Sequence, residues 1–263
     1  MRKKIGIVGG LGPFTGLDIN RKIFNNTMAN CDKDHLEVFL LSRSEAINDR
    51  TSYLLGETDT NPAYEVYKTI DMLEKIGADI ACIPCNTCHA PKIYKVIKRL
   101  MKKNRNRIML LNIVKETYNY FLKNHFEFKN IGLLATQGTY TTNLYRDIFE
   151  KEGKLKIIYP AIETQRKVND AIYNKKYGIK KKCNPTSDIA KGILKDATKE
   201  LKLNGAQAVI MGCTEIPIAL DSIDTGIMMV DPNIILARAL IEIASKEQLI
   251  PMTVQKSTIT FDK

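Results

Sequence analysis

A chain of 263 residues, 44% hydrophobic and 26% charged, has room for one large domain or two modest ones and falls outside the disordered, collagen-like and disulfide-scaffold classes. Basic residues exceed acidic ones by 40 − 29 = 11, which raises nucleic acid as a partner; the excess consists mostly of lysines at helical spacing, such as Lys95, Lys98, Arg99, Lys102 and Lys103, with no aromatic interleaving, so they read as a solvated face and no nucleic-acid partner is expected. No stretch approaches the roughly 18 apolar residues of a spanning helix, and the Met1-Arg2-Lys3-Lys4 start runs into a strand-like segment rather than a signal core, so a cytoplasmic protein without a membrane partner is expected.

The first element in chain order is a buried strand, Lys4-Ile5-Gly6-Ile7-Val8-Gly9, that runs into the turn Gly10-Leu11-Gly12-Pro13. Residues 38–42 are strand-like and lead to a loop carrying Asn48-Asp49-Arg50-Thr51. Val66, Ile70, Leu73 and Ile76 then recur at helical spacing. Residues 78–84 form an apolar run of strand length; side-chain alternation turns Cys82 into the core and leaves Cys85 at the strand's end, followed by Asn86, Thr87, Cys88 and His89. A helical pattern through Ile93, Ile97 and Leu100 follows, and then a strand at 109–113 with a helix through Lys123.

In the second half, a strand at 130–135 ends at Thr136. A basic stretch, Lys175, Lys176, Lys180, Lys181 and Lys182 around Gly178, ends at Asn184-Pro185 and reads as a loop. Ile189, Ile193, Leu194, Ala197 and Leu201 predict a helix, residues 205–215 a strand and turn with Cys213, and residues 227–230 a strand before Asp231-Pro232 and a helix through Ser245.

Compared with itself, the chain repeats. Ile5 matches Ile131, an offset of 131 − 5 = 126; Cys85 matches Cys213, an offset of 213 − 85 = 128; and Asn112 matches Asp231 more loosely, an offset of 231 − 112 = 119. Strand and helix alternate in each half, which predicts parallel sheets covered by helices on both faces, and the near-constant offset predicts two such units. The expected fold is therefore two pseudo-symmetric parallel-sheet α/β domains with the active site in the cleft between them, the first made of residues 1–113 plus about 227–263 and the second of 114–226. Ligands of open parallel sheets bind beyond the carboxyl ends of the strands, and both cysteine turns fall there.

Six cysteines, Cys31, Cys82, Cys85, Cys88, Cys183 and Cys213, read as thiols in an intracellular chain. Cys82, Cys85 and Cys88 have cluster-ligand spacing but lack the fourth cysteine and its proline, so no metal is expected. Cys88 and Cys183 read as small buried hydrophobes or loop thiols. Two thiols that approach one carbon from opposite sides can remove a proton from one face and return one to the other, which inverts a stereocentre without cofactor, metal or redox chemistry. Asn86-Thr87 and Thr214, in strand-to-helix turns, offer donors to a carboxylate.

With these motifs in view, the chain resembles the aspartate/glutamate racemases that use no pyridoxal phosphate, and more narrowly their aspartate racemase branch. Ile5-Gly6-Ile7-Val8-Gly9-Gly10-Leu11-Gly12-Pro13 resembles that family's opening, Asn48-Asp49-Arg50-Thr51 its arginine motif, and Pro84-Cys85-Asn86-Thr87 with His89 its first cysteine motif. Leu133-Leu134-Ala135-Thr136-Gln137-Gly138-Thr139 and Gly212-Cys213-Thr214-Glu215 resemble the central strand and the second cysteine motif. The resemblance implies two-base racemisation by Cys85 and Cys213 on a small amino-acid substrate, no cofactor, and commonly a homodimer. It places Asn86, Thr87, Thr136 and Thr214 around the substrate's α-carboxylate and amino groups and pairs Arg50 with its side-chain carboxylate. A family lysine that also meets this side chain follows a helix ending in an Ile-Tyr pair, here Ile172-Tyr173, and Lys180 is the match.

The chain has Gly9-Gly10-Leu11-Gly12 and Glu215 where cell-wall glutamate racemases have an Asp-Ser-Gly turn and a histidine, and Cys88 where family members usually have alanine. Aspartate is therefore the expected substrate and glutamate the next. A related isomerase with another substrate, or a two-lobed small-molecule binder, is the alternative. A dinucleotide-binding oxidoreductase fits less well, because Gly10, Gly12 and Gly16 are spaced one residue too long and Glu45 is the nearest acidic residue for a ribose. His89 reads as a packing residue, His35 and His125 show no triad spacing, and Glu215 either orients the neighbourhood of Cys213 or caps the next helix.

Overall fold

The computed structural model describes residues 2–151, 153–220 and 225–252. These residues contain two four-stranded parallel sheets, with strand orders 2-1-3-4 and 6-5-7-8. The first is built from β1 (Ile5–Gly9), β2 (Val38–Ser42), β3 (Ile80–Cys82) and β4 (Met109–Leu110); the second from β5 (Asn130–Leu134), β6 (Lys156–Ile158), β7 (Ala208–Met211) and β8 (Met228–Val230). Central β1 pairs with β3 through Ile5↔Ile80, Gly6↔Ala81 and Ile7↔Cys82, and β5 pairs with β7 from Ile131↔Ala208 to Leu134↔Met211. Each repeated sequence segment thus occupies the same place in its own sheet.

The connections are helical, as parallel pairing demands. α1 (Pro13–Asn25), α2 (Arg50–Leu54), α3 (Ala63–Lys75), α4 (Pro91–Lys103) and α5 (Ile113–Asn124) accompany the first half; α6 (Gln137–Thr141), α7 (Arg146–Phe149), α8 (Ile162–Tyr173), α9 (Asp188–Leu203), α10 (Ile216–Leu220) and α11 (Pro232–Ser245) the second. α4 shows why such sequences fold as helices: Ile93, Ile97 and Met101 lie four apart and are buried, while the lysines between them face water. Burying each of these side chains contributes about 1.5–3 kcal/mol before the entropy of ordering is subtracted. α9 buries Ala190, Leu194, Ala197 and Leu201 in the same way and starts at Ser187, whose hydroxyl accepts from the Ala190 N–H at 3.2 Å.

Three apolar residues predicted for helix stripes fall away from the core. Ile76 is the residue that ends α3 and is exposed, Leu100 is only half-buried and gives its place to Met101, and Ile189 sits exposed in the first turn of α9.

The described residues divide into two compact units, residues 2–117 with Asn233–Pro251, and Tyr118–Pro232 with Met252. The expected first domain began its return at about 227; instead Met228–Val230 hydrogen-bonds to Ala208–Val209–Ile210 of the second sheet, so the return comes at Asn233, inside α11. At the other boundary α5 carries the first unit as far as Thr117 rather than 113. Residues 253–263, also assigned to the first domain, lie outside the described residues.

Candidate active site

The first unit gathers its candidates around the turn that follows β3. Cys85 comes three residues after Cys82, and its N–H donates to the Ile83 carbonyl at 2.8 Å. Cys82 itself is fully buried in the strand, and desolvation pushes its thiol far up. The loop after β1 braces the turn: the Thr15 hydroxyl donates to the Gly12 carbonyl at 2.8 Å and lies 3.3 Å from that of Pro84. That loop depends on Gly10, whose φ of +89° disfavours L side chains and where a Cβ would meet the backbone nitrogens of Ser44 and Arg43 at 2.6 and 2.7 Å.

Asn86, Thr87, Cys88 and His89 are all buried, the last three in a short 3-10 turn, Thr87–His89. His89 Nδ1 lies 3.0 Å from the Cys85 carbonyl and donates to it, which fixes the backbone of the thiol-bearing residue. Burial pushes the histidine down to about 4, so the ring is neutral at pH 7.

Arg50 is the first residue of α2, which packs on the same turn. Asp49 caps this helix by accepting from the Ser52 N–H at 2.9 Å. Arg50 is 6% exposed, and its guanidinium donates to the carbonyls of Leu11 at 2.8 Å and Asn48 at 3.2 Å. A cation is thus fixed beside the Cys85 turn by backbone groups, close enough to Cys88 to oppose the rise of its pKa.

The second unit repeats the arrangement with different chemistry. Gly212 extends the pairing of β7, donating to the Leu134 carbonyl at 2.7 Å, and Cys213 follows. The Cys213 thiol donates to Glu215 Oε2 at 3.0 Å, and Glu215 Oε1 is ion-paired with Lys180 Nζ. Cys213 is 7% exposed and Glu215 4%. Burial pushes the Cys213 thiol well above its ordinary value, the Glu215 carboxylate adds to the rise, and Lys180 opposes it. Cys213 therefore holds its proton at neutral pH with a carboxylate placed to accept it.

Lys180 reaches this position through a tight turn after α8. The N–H groups of Gly178, Ile179 and Lys180 donate to the carbonyls of Asn174, Ala171 and Ile172 at 2.9, 2.9 and 3.1 Å, so orphan carbonyls at the helix end are used to fold the basic loop back. The Lys180 ammonium lies 5.4 Å from the centre of the Tyr173 ring. Thr136 precedes α6 at the carboxyl end of β5, with its hydroxyl 3.3 Å from that of Thr139. Thr136 and Thr214 are both buried. Below Thr136, the Tyr140 hydroxyl accepts from the Ala135 N–H at 2.9 Å and donates to the Leu133 carbonyl at 3.1 Å, which pins the end of β5.

The sequence candidates therefore fall into two groups: Cys85, Asn86, Thr87 and Arg50 in the first unit, and Cys213, Thr214, Thr136 and Lys180 in the second. Sequence reasoning left Glu215 between orienting the neighbourhood of Cys213 and capping the next helix; its two carboxylate oxygens engage Cys213 and Lys180, and it directly precedes α10. Its spacing of two residues from Cys213 carried part of that signal, but its link to Lys180, 35 positions away, carried none. Thr15 and Tyr140, which brace the two turns, were missed; Thr15 lies just past the Gly12-Pro13 turn, but no spacing rule marks a hydroxyl that bonds to backbone 69 residues on. Among the described residues, no three or more His, Cys, Asp or Glu side chains are grouped to hold a metal ion, and no helix is long and apolar enough to cross a membrane.

Residues 8–240 match the family model described as Asp/Glu/Hydantoin racemase. Among solved structures, the chain is similar to the Picrophilus torridus aspartate racemase, with a TM-score of 0.77 and 26% identity over 92% of this chain and 94% of that one. An aspartate racemase homologue from Pyrococcus horikoshii OT3 superposes with a TM-score of 0.69 at 24% identity over 92% of this chain and 99% of that one. A glutamate racemase from Francisella tularensis, in complex with D-glutamate, shares the fold with a TM-score of 0.65 at 15% identity over 98% of this chain and 86% of that one.

Proposed function

The chain belongs to the Asp/Glu/Hydantoin racemase family, whose members are isomerases, and we propose that it racemises an acidic amino acid, aspartate in the first place and glutamate second, by cofactor-independent proton transfer with Cys85 and Cys213 as the two bases. The observation that carries this reading is the twinned thiol: each sheet ends the same strand of its order, β3 or β7, in a turn that presents a buried cysteine flanked by Asn or Thr donors. The 26% identity to an aspartate racemase supports the order of substrates.

In the proposed mechanism one sulfur, as thiolate, removes the α-proton while the other, as thiol, delivers a proton to the opposite face of the carbon. Each turnover exchanges their protonation states, and the reverse reaction exchanges them back. Cys213 enters as the thiol. When it must serve as the base, Glu215 takes its proton along the 3.0 Å hydrogen bond, and Lys180 stabilises the carboxylate that is formed or restored. Asn86, Thr87, Thr136 and Thr214 are assigned to the substrate's α-carboxylate and amino groups, where added negative charge in the carbanion-like transition state strengthens their bonds.

Arg50 is assigned to the side-chain carboxylate. Its fork is already oriented by Leu11 and Asn48, so less rotamer entropy is lost on binding than for an unrestrained arginine. Lys180 is assigned to the same carboxylate; an ammonium has three donors, so its pairing with Glu215 is compatible with that contact.

The test is incubation of the purified protein with L-aspartate or L-glutamate in D2O without added cofactor, with α-deuterium followed by NMR and enantiomers by chiral chromatography. D-aspartate carrying α-deuterium is expected, with glutamate slower. Cys85→Ser and Cys213→Ser should each lower racemisation by about 10³-fold or more; full activity in either variant would end the two-base reading.

A further inference from the structure

Cys88 has no part in the proton transfer, yet a rigid turn fixes it beside Cys85. Asn86 has φ −58° and ψ −50°, and Thr87 opens the 3-10 turn. Two consecutive right-handed helical residues make a tight turn whose end Cα atoms lie less than about 7 Å apart, a span that overlaps the range of about 4.4–6.8 Å that a disulfide requires. Both thiols belong to one apolar cluster with Leu11, Ile83 and Ile93. They also sense each other electrostatically: desolvation and the nearby Cys85 both push the Cys88 thiol up. Cys88 is fully buried, whereas Cys85 keeps 7% of its surface exposed, so an oxidant from solvent meets Cys85 first.

We propose that Cys85 and Cys88 form a reversible modification site, in which a hydroperoxide oxidises the pair to an intrachain disulfide and a dithiol reductant restores it. In the first step the Cys85 sulfur attacks the peroxide, an S–O bond forms, the O–O bond breaks, and the departing hydroxide leaves as water with the Cys85 proton. The Cys88 sulfur then attacks the Cys85 sulfur; the S–S bond forms, the S–O bond breaks, and hydroxide leaves as a second water with the Cys88 proton. Two thiols supply the two electrons that reduce one hydrogen peroxide to two waters. The disulfide withholds Cys85 from proton transfer and at the same time protects it from irreversible oxidation to the sulfinic acid. The effect on activity rests on the racemase reading given above; the modification itself does not.

The experiment treats the reduced full-length protein with hydrogen peroxide, removes the peroxide, unfolds the protein in guanidinium chloride with iodoacetamide present so that buried thiols such as Cys82 are blocked as well, and digests with trypsin. The peptide spanning residues 76–92 contains Cys82, Cys85 and Cys88. The expected product has lost two hydrogens, carries one alkyl group on Cys82, and shows a bridge between Cys85 and Cys88 in its fragment ions; dithiothreitol abolishes it. Racemase activity should fall with bridge formation and return with the reductant. Cys88→Ala is expected to keep the basal activity, form no bridge, accumulate Cys85 sulfinic acid and stay inactive after reduction. No bridge in the wild type, a bridge to Cys82 instead, or recovery of Cys88→Ala as complete as the wild type would overturn the proposal. A protein that forms the bridge but never racemises would fault the racemase reading alone.

Discussion

Glu215 is the residue on which the second half of the site turns. A carboxylate this buried is retained only where its charge is compensated, and here Lys180 compensates one oxygen while the Cys213 thiol occupies the other. Glutamine at this position keeps an oxygen to accept from the thiol but can neither take its proton nor balance the ammonium. Glu215→Gln is therefore expected to lower kcat by about 10²–10⁴-fold. The sign for the thiol is opposite: with the negative charge gone and Lys180 still close, the Cys213 pKa falls, so the rate of its alkylation by iodoacetamide at neutral pH should rise. Slower turnover together with faster alkylation, measured on the same preparation, checks the assignment; a variant whose alkylation slows would contradict it. At this scale the sequence was legible where a motif is contiguous, as in Cys85-Asn86-Thr87 and Cys213-Thr214. It was mute where a bond joins residues distant in the chain, as between Lys180 and Glu215, or where a side chain braces backbone, as Thr15 and Tyr140 do.

Among the elements, the turn after α8 shows how a fold delivers one ammonium with accuracy. Gly178 sits so close to the helix end that a Cβ would lie 2.5 Å from the Asn174 nitrogen, 2.7 Å from its carbonyl oxygen and 2.9 Å from the Ile172 oxygen. All three are backbone atoms and cannot swing away. Gly178→Ala must open the turn and displace Lys180, two residues on. The expected outcome is a loss of about 2–4 kcal/mol in stability by denaturant titration, with a fall in kcat/KM for aspartate at temperatures where the protein remains folded; unchanged stability would show that the turn yields easily. Helices with an apolar stripe, α3, α4 and α9, were readable from spacing, apart from Leu100, whose place in α4 Met101 takes, and the end residues Ile76 and Ile189, where the stripe runs off the covered face. β6, Lys156–Ile158, gave no signal to read, since three residues are too few to show a period.

For the molecule as a whole, the net charge of +11 acts over distances that pairwise contacts do not. A positive surface raises the local concentration of an anionic substrate and is screened by salt. kcat/KM for L-aspartate should therefore fall by about two- to five-fold between roughly 20 mM and 300 mM sodium chloride, mainly through KM; a flat response would mean that the basic residues do not act on the substrate. The duplicated strand–helix pattern, the parallel sheets and the two cysteine turns followed from the sequence alone, because hydrophobic periodicity and internal repetition are properties of contiguous segments. The partition of the strands was decided only by the tertiary structure. The linear pattern gave residues 227–230 to the first unit, and it is the hydrogen-bonded register of Met228–Val230 with β7 that assigns them to the second. The same holds for the Cys213–Glu215–Lys180 chain. A burial or a charge pair depends on which distant segments pack together, and a linear pattern contains no measure of that.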